Sequence, residues 1–468
     1  MTLTTPNTAF TKPHPICINL TAAWIALATS CIVWPFSWAG FSSQIVGACM
    51  LLPCLAGGQN WPAAVRKFFG LAWIPYLLLC GILFFHLMQG SEHSELLVFI
   101  AYMFKIPVLG LLTYGAMHTL QRLGFSSSAT MQVFWLAVIL PLILMVFQLL
   151  IPSFHEWSIE QLGGFRVEQV ISGNHHGHPF RFLGPNGFLF SSHGVAFAFA
   201  ALGMLVWRSN TGSRAVTYSF LCIEITCLLA ALLSGRSALP LIGIYILTSL
   251  FLAHSLRQRL SLCLVYVVIG LLLALLPRVS KDGQQLITWL LEPIQTSLER
   301  GTLASASLDV TLESYQGLPT NSPQTTSQQP MNEQSFSFHA GDLVKPSSLV
   351  GQGVYFRDNE QYEERGLAYS DSGFVRLTYL VGYLGCMLFI LFWLLLFVST
   401  WRRSRHSPLL SRTYLTLFTV YSLIFFVKSE WLYQNFFIFY FFLLFHHFDS
   451  AANQNHAYHI RQSVAATA

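Results

Sequence analysis

Apolar residues fill this chain in long runs, and polar residues gather in the intervals between them. A run of roughly 20 mostly apolar residues is what a helix needs to cross the hydrocarbon core of a bilayer. Twelve such runs can be marked, at about 17–36, 39–56, 68–89, 95–118, 131–152, 187–207, 215–233, 237–254, 260–277, 374–399, 412–428 and 432–448. The second and the seventh to ninth have soft boundaries. The expected fold is an all-α polytopic membrane protein of about 12 transmembrane helices with one large outward loop between the ninth and tenth. Residues 1–277 would hold the first nine spans, including an outer loop at 153–186. Residues 278–373 would form the large loop, and 374–468 the last three spans and a tail. The opening MTLTTPNTAFTKPHP carries one Lys and leads into a run long enough to span, so it is read as the approach to a first transmembrane helix and not as a cleaved signal.

Composition agrees with that pattern. Of 468 residues, 54% are hydrophobic and 10% charged, against about 25% charged in soluble domains. All nine cysteines fall in apolar stretches, which suits small core residues better than a disulfide framework. The net charge of +5 becomes informative once it is divided between the two faces. With the N-terminus inside, the cytoplasmic connections carry Arg66, Lys67, Arg122, Arg208, Arg214, Arg257, Arg259, Arg402, Arg403, Arg405 and Arg412. Of the 20 acidic residues, all but Glu224 and Asp449 then fall outside. Both termini are expected in the cytoplasm.

Two long connections face outward in this topology, 153–186 and 278–373. The second opens with QLITWLLEPIQTSLER, whose apolar spacing predicts an interfacial helix. It continues through 303–348, rich in Ser, Thr, Gln and Pro, which predicts a flexible segment. The chain has no internal repeat, Walker loop, GxGxxG or CxxC pair.

The chemistry-bearing stretch is LVGQGVYFRDNEQYEERGLAYSDSGFVRLTYLVGYL, residues 349–384. It passes from a Gly-containing loop through a charge cluster into the tenth span, with Arg376 about one turn inside. Three spans that run from outside to inside have arginine at their outer, N-terminal ends: Arg166 and Arg181 before the sixth, Arg236 before the eighth in LLSGRSALP, and Arg376 in the tenth. Helix N-termini and guanidinium forks both aim donors at oxygen anions, so together they suit a phosphate or diphosphate. The plainer role for these arginines is to anchor at the lipid headgroups. Against it, Arg236 sits in a tight outward turn, where topology disfavours positive charge.

Asp371 is the leading candidate for a general base, although it could equally cap the tenth helix, as Ser370 or Ser372 could. Glu363 and Glu364 are nearby competitors, and His339 in SFSFHAGD could be a base carried on the loop. Tyr355, Phe356, Tyr362 and Tyr369 offer aromatic faces to a ligand or act as interfacial anchors. His175, His176 and His178 lack metal-ligand spacing and have no carboxylate or cysteine grouped with them, so no metal site is expected. Lys105 and Glu224 lie inside spans, where charge is costly and often functional, and could pair with each other.

LLSGRSALPLIGIY resembles the SGRT-type motif of Wzy-type O-antigen polymerases, and SDSGFVRLTYLVGYLG resembles their DSGYxR…G segment. FRFLGPNGF is similar to their arginine-containing entry to the sixth helix. The resemblance covers about 165–250 and 349–388; elsewhere it rests on topology. The related O-antigen ligases typically carry His-Asn where this chain has Asp371-Ser372, which favours the polymerase. The resemblance implies a GT-C-like fold and glycosyl transfer at the periplasmic face of a bacterial inner membrane. A glycan on undecaprenyl diphosphate would move onto the next lipid-linked repeat unit. It further implies a chain-length regulator as partner, with no nucleic acid involved. Arg236 and Arg376, with Arg181 and Arg166, would hold the donor diphosphate, while Asp371 takes the proton of the attacking hydroxyl. A lipid diphosphate is already a good leaving group, so neither a metal nor any other cofactor is required.

Overall fold

The computed structural model describes residues 15–38, 41–56, 70–89, 93–151, 153–154, 157–158, 190–209, 214–253, 255–279, 284, 287–288, 290–291, 349–350, 373–428 and 431–450. The protein is an all-α membrane protein. Its helices are α1 Pro15–Val33, α2 Ser43–Leu51, α3 Trp73–Met88, α4 His93–Arg122, α5 Ser127–Trp135, α6 Ile139–Leu150, α7 Phe190–Arg208, α8 Arg214–Ser234, α9 Leu239–Leu252, α10 Leu256–Val279, α11 Gly373–Arg403, α12 Leu409–Lys428 and α13 over 435–450. Among the described residues the extended structure is a two-residue hairpin, β1 Ser37–Trp38 against β2 Phe41–Ser42. Helices are the expected outcome for such a sequence in lipid, because each helical backbone satisfies its own hydrogen bonds where no water is available.

Every one of the twelve apolar runs carries a helix. Among the described residues, five segments are long and apolar enough to cross a membrane: Gly70–Met88, Phe99–Arg122, Ser127–Leu150, Leu380–His406 and Leu409–Val427. Asn19–Val33, Ser43–Leu55, Ser192–Arg208, Phe220–Ser234 and Leu239–Leu252 are apolar but only 10–17 residues long. Of the expected interfacial helix, residues 287–288 and 290–291 are helical, and Leu290 packs on Leu232 and Leu233 of α8.

α13 is the centre of the bundle. Phe436 through Phe448 are all buried, so this helix has no lipid-facing side. A helix that is hydrophobic all round belongs either in a core or in lipid, and the neighbours decide which. Asn435 Nδ2 donates to the Ile32 carbonyl of α1 at 2.7 Å, and Tyr440 Oη donates to Phe134 O of α5 at 3.0 Å. The Tyr440 ring stacks on Trp135 at 4.4 Å, and Phe437 stacks on Phe418 of α12 at 5.4 Å. Trp393 of α11 meets Phe437 edge-on at 4.7 Å. Lower down, His447 Nδ1 pairs with Ser127 Oγ at 2.8 Å, and Asp449 pairs with Arg403 of α11.

These contacts also set the directions of the helices. α7 and α8 are antiparallel, as are α11 and α12, and α11 runs antiparallel to α3, with Tyr76 beside Phe392. One end of the bundle therefore collects the C-terminal ends of α1, α3, α8 and α12 with the N-terminal ends of α7, α9, α11 and α13.

The packing separates core from lipid-facing positions in a way hydropathy does not. Phe442→Ala, at a ring packed against Gly110 and Trp393, should cost about 3–5 kcal/mol. Phe251→Ala, at a ring 81% exposed, should stay within about 0.5 kcal/mol. Thermal unfolding of the two variants in one detergent checks this, and equal shifts would mean that inside and outside faces have been confused.

Candidate functional site at one end of the bundle

The Arg236 turn is built from backbone contacts. Ser234 Oγ donates back to Ala230 O at 2.7 Å, and Gly235 N donates to Ala231 O at 3.2 Å, closing α8. Arg236 then opens a single 3₁₀ turn, Arg236–Ala238, with Ala238 N donating to Gly235 O at 3.1 Å. Pro240 in the first turn of α9 lacks only an amide hydrogen that would have no helical partner. From one side, α7 presses on the turn at Gly194. A Cβ there would lie 3.0 Å from Ala231 O and 3.1 Å from Gly235 N, tight enough that the turn would have to give by a few tenths of an ångström. From the other side, Tyr421 Oη of α12 donates to Ser237 O.

Arg376 lies in the first turn of α11, at the same end. The sequence suggested one continuous helix over 374–399, but the structure breaks it at Gly382, with φ 71° and ψ −178°. That region is essentially restricted to glycine. Irregular backbone at membrane depth is tolerated where protein covers it or where it lines a cavity, and the adjoining Leu380 and Val381 are buried. Gly373–Val381 is thus a separate short helical segment carrying Arg376, set at an angle to the spanning part beneath. Beside it, His86 near the end of α3 donates from Nε2 to the carbonyl of Val350 at 2.6 Å. Val350 and Gly373, which flank residues 351–372, are therefore both held at this end.

Of the expected site residues, Arg166, Arg181, His339, Tyr369 and Asp371 lie outside the described residues, as do Glu363, Glu364 and the His175–His178 cluster. The backbone of Arg236 and of Arg376 is described and sits at the same end of the bundle; their side chains fall outside the description. Among the described residues, no group of three or more His, Cys, Asp or Glu is placed to hold a metal.

Further into the bundle is a charge network that sequence reading only half anticipated. Glu224 of α8 is fully buried and is gripped by Arg208 from the end of α7, with Nε to Oε1 at 2.7 Å and Nη2 to Oε2 at 2.9 Å. Tyr245 Oη of α9 donates to Oε2 at 2.6 Å. Glu224 therefore pairs with Arg208 and not with Lys105, whose Nζ lies 4.4 Å over the Tyr102 ring. Arg208, expected on a cytoplasmic connection, is the last residue of α7, and its side chain turns into the bundle, where a carboxylate fits its planar fork. The network ties together the three helices that meet at the Arg236 turn.

Two buried histidines at the arginine end, His86 and His193, were not singled out from sequence. The available signal was their position inside apolar runs, since ionisable residues within spans are functional candidates by default.

Compared with known protein families, curated proteins and solved structures, the chain matches none.

Two stability predictions follow from the geometry. Glu224→Ala leaves the Arg208 charge uncompensated and should cost about 3–5 kcal/mol. Removing both charges as Arg208→Met with Glu224→Leu should recover most of that loss, and a double-mutant cycle by thermal unfolding measures the recovery. Gly382→Ala forces a side chain into the glycine-only region and should cost about 1–3 kcal/mol. Gly243→Ala, where an added Cβ meets nothing within 4 Å in mid-α9, should be neutral or stabilising by up to about 1 kcal/mol.

Proposed function

We propose that this protein is a polysaccharide polymerase. It joins undecaprenyl-diphosphate-linked repeat units at the periplasmic face of a bacterial inner membrane, with both termini in the cytoplasm and about 12 spans. The observation that carries the reading is that the two arginine-bearing elements, the Arg236 turn and the short Arg376 helix, lie at the same end of the bundle. Arginines carried on elements at helix N-termini would match the oxygen-rich surface of a diphosphate and would stabilise the charge that develops as it leaves. In this mechanism the acceptor sugar hydroxyl attacks the anomeric carbon of the donor. The bond to the lipid diphosphate breaks, and Asp371 accepts the hydroxyl proton. Arg166 and Arg181 would add to the diphosphate grip, Tyr369 would offer a face to a sugar ring, and His339 would approach on the long loop.

An O-antigen ligase would use the same donor chemistry with lipid A-core as acceptor, and the Asp371-Ser372 pair counts against it. A flippase or transporter would need working charges deep in the spans. Lys105 and Glu224 lie inside spans, but Glu224 is bonded to Arg208.

Arg236→Ala and Arg376→Ala should abolish long-chain polysaccharide while the protein still inserts. Asp371→Asn should do the same while keeping a capping side chain. Gel analysis of glycan length in a complemented deletion strain reads all three. Single capped repeat units in the deletion strain identify a polymerase, whereas no capped units identify a ligase. Normal chain lengths in both arginine variants would remove the site.

A further inference from the structure

Next to the Arg236 turn, three helices remote in sequence bring hydrogen-bonding side chains into one buried corner. Trp34, just past the end of α1, stacks on His193 of α7 with ring centroids 5.4 Å apart. Phe197, one turn further along α7, stacks on the same indole at 4.3 Å, and Phe436 of α13 closes the group at 5.9 Å. Asn435 is fastened beside it by its amide nitrogen, which donates to Ile32 O at 2.7 Å. His193 immediately precedes Gly194, the residue pressed against Gly235 of the turn.

Trp34, His193 and Asn435 are 1%, 4% and 4% exposed, yet each carries a buried polar atom that no described group satisfies: the indole Nε1, the imidazole Nδ1 and the amide Oδ1. A buried polar atom without a partner is costly, so one such atom in a native protein calls for an explanation. Three in one corner, against the turn that bears Arg236, call for a shared one. The set is a donor (the indole N–H), a group that donates or accepts according to its tautomer (the imidazole) and an acceptor (the amide oxygen). None of the three need carry a formal charge. That complement fits a hydroxyl group, which both donates and accepts. Among the described side chains none of these three groups brings a positive charge, so the set by itself suits an uncharged group better than an anion.

We propose that Trp34, His193 and Asn435 form a binding site for an uncharged, hydroxyl-bearing group, the sugar attached to a lipid diphosphate, beside the arginines that take the diphosphate itself. The identity of the sugar-bearing ligand rests on the polymerase reading; the hydroxyl chemistry of the corner does not.

The test uses the full chain in nanodiscs with two lipids, undecaprenyl diphosphate and the same lipid carrying one hexose. The variants are Trp34→Phe, His193→Phe and Asn435→Leu, each of which removes an unpartnered polar atom while keeping an apolar body. Wild type should bind the glycosylated lipid more tightly than the bare one. Each variant should lose that preference, on the order of tenfold in Kd, the change that one hydrogen bond's free energy corresponds to. His193→Phe, which breaks no described hydrogen bond, should keep or raise the unliganded unfolding temperature, whereas Asn435→Leu also loses the bond to Ile32 O and should lower it. Equal binding of the two lipids by wild type, or an undiminished preference in all three variants, overturns the site and leaves the polymerase reading standing. If wild type binds neither lipid, the polymerase reading falls. The corner is then judged by the ring ¹⁵N resonances of His193 in the presence of octyl glucoside below its micellar concentration. A shift absent from Trp34→Phe supports the site, and no shift overturns it.

Discussion

The structure depends on one helix having protein on every side. α13 contributes an unbroken run of buried aromatic and aliphatic side chains, and α1, α5, α7, α11 and α12 each meet it through a ring or a hydrogen bond. In water such a helix would be driven inward by its hydrophobicity. Lipid chains are as apolar as the side chains, so what holds it here is close packing and the few polar contacts that fix register. Asn435 at one end and His447 with Asp449 at the other are those contacts. They set its height relative to α1, α5 and α11.

With that centre in place, the arginine end follows from two local constraints. α7 lies close against the Ser234-Gly235 turn, helped by the absence of a side chain at Gly194, and that contact bears on the residue just before Arg236. Beneath it, the Arg208–Glu224–Tyr245 network ties α7, α8 and α9 at a second level, so the turn is supported from below as well as from the side. A buried ion pair of this kind is a modest source of stability, but its loss is expensive. It serves better as a fixed register between helices than as an energetic gain.

The Arg376 segment is positioned differently. The break at Gly382 frees the first turns of α11 from the axis of the span below. The hydrogen bond from His86 to Val350 holds the chain on the other side of residues 351–372. Both ends of the stretch that contains Asp371 and Tyr369 are thus tied to the arginine end, by α3 at one boundary and by α11 at the other.

Where helices form was legible in the sequence, because a twenty-residue apolar run in lipid has few alternatives to helix. The approximate placement of Arg236 and Arg376 was legible too, since alternating spans and basic residues on one set of connections put both at the same end. The partner of Glu224 was not, because Lys105 and Arg208 are equally plausible cations until the helix neighbours are known. Nor was the Gly382 break: LVGYLG reads as ordinary apolar helix, and only backbone geometry shows φ 71° there. The meeting of Trp34, His193 and Asn435 lay furthest from view, since those positions are hundreds of residues apart along the chain. By itself the sequence determined the helices and that Arg236 and Arg376 share one end, through the length and charge rules that a bilayer imposes. Only the tertiary structure decided which faces are inside and which polar groups meet. In lipid the inward and outward faces of a helix are equally apolar, so composition carries no record of that choice.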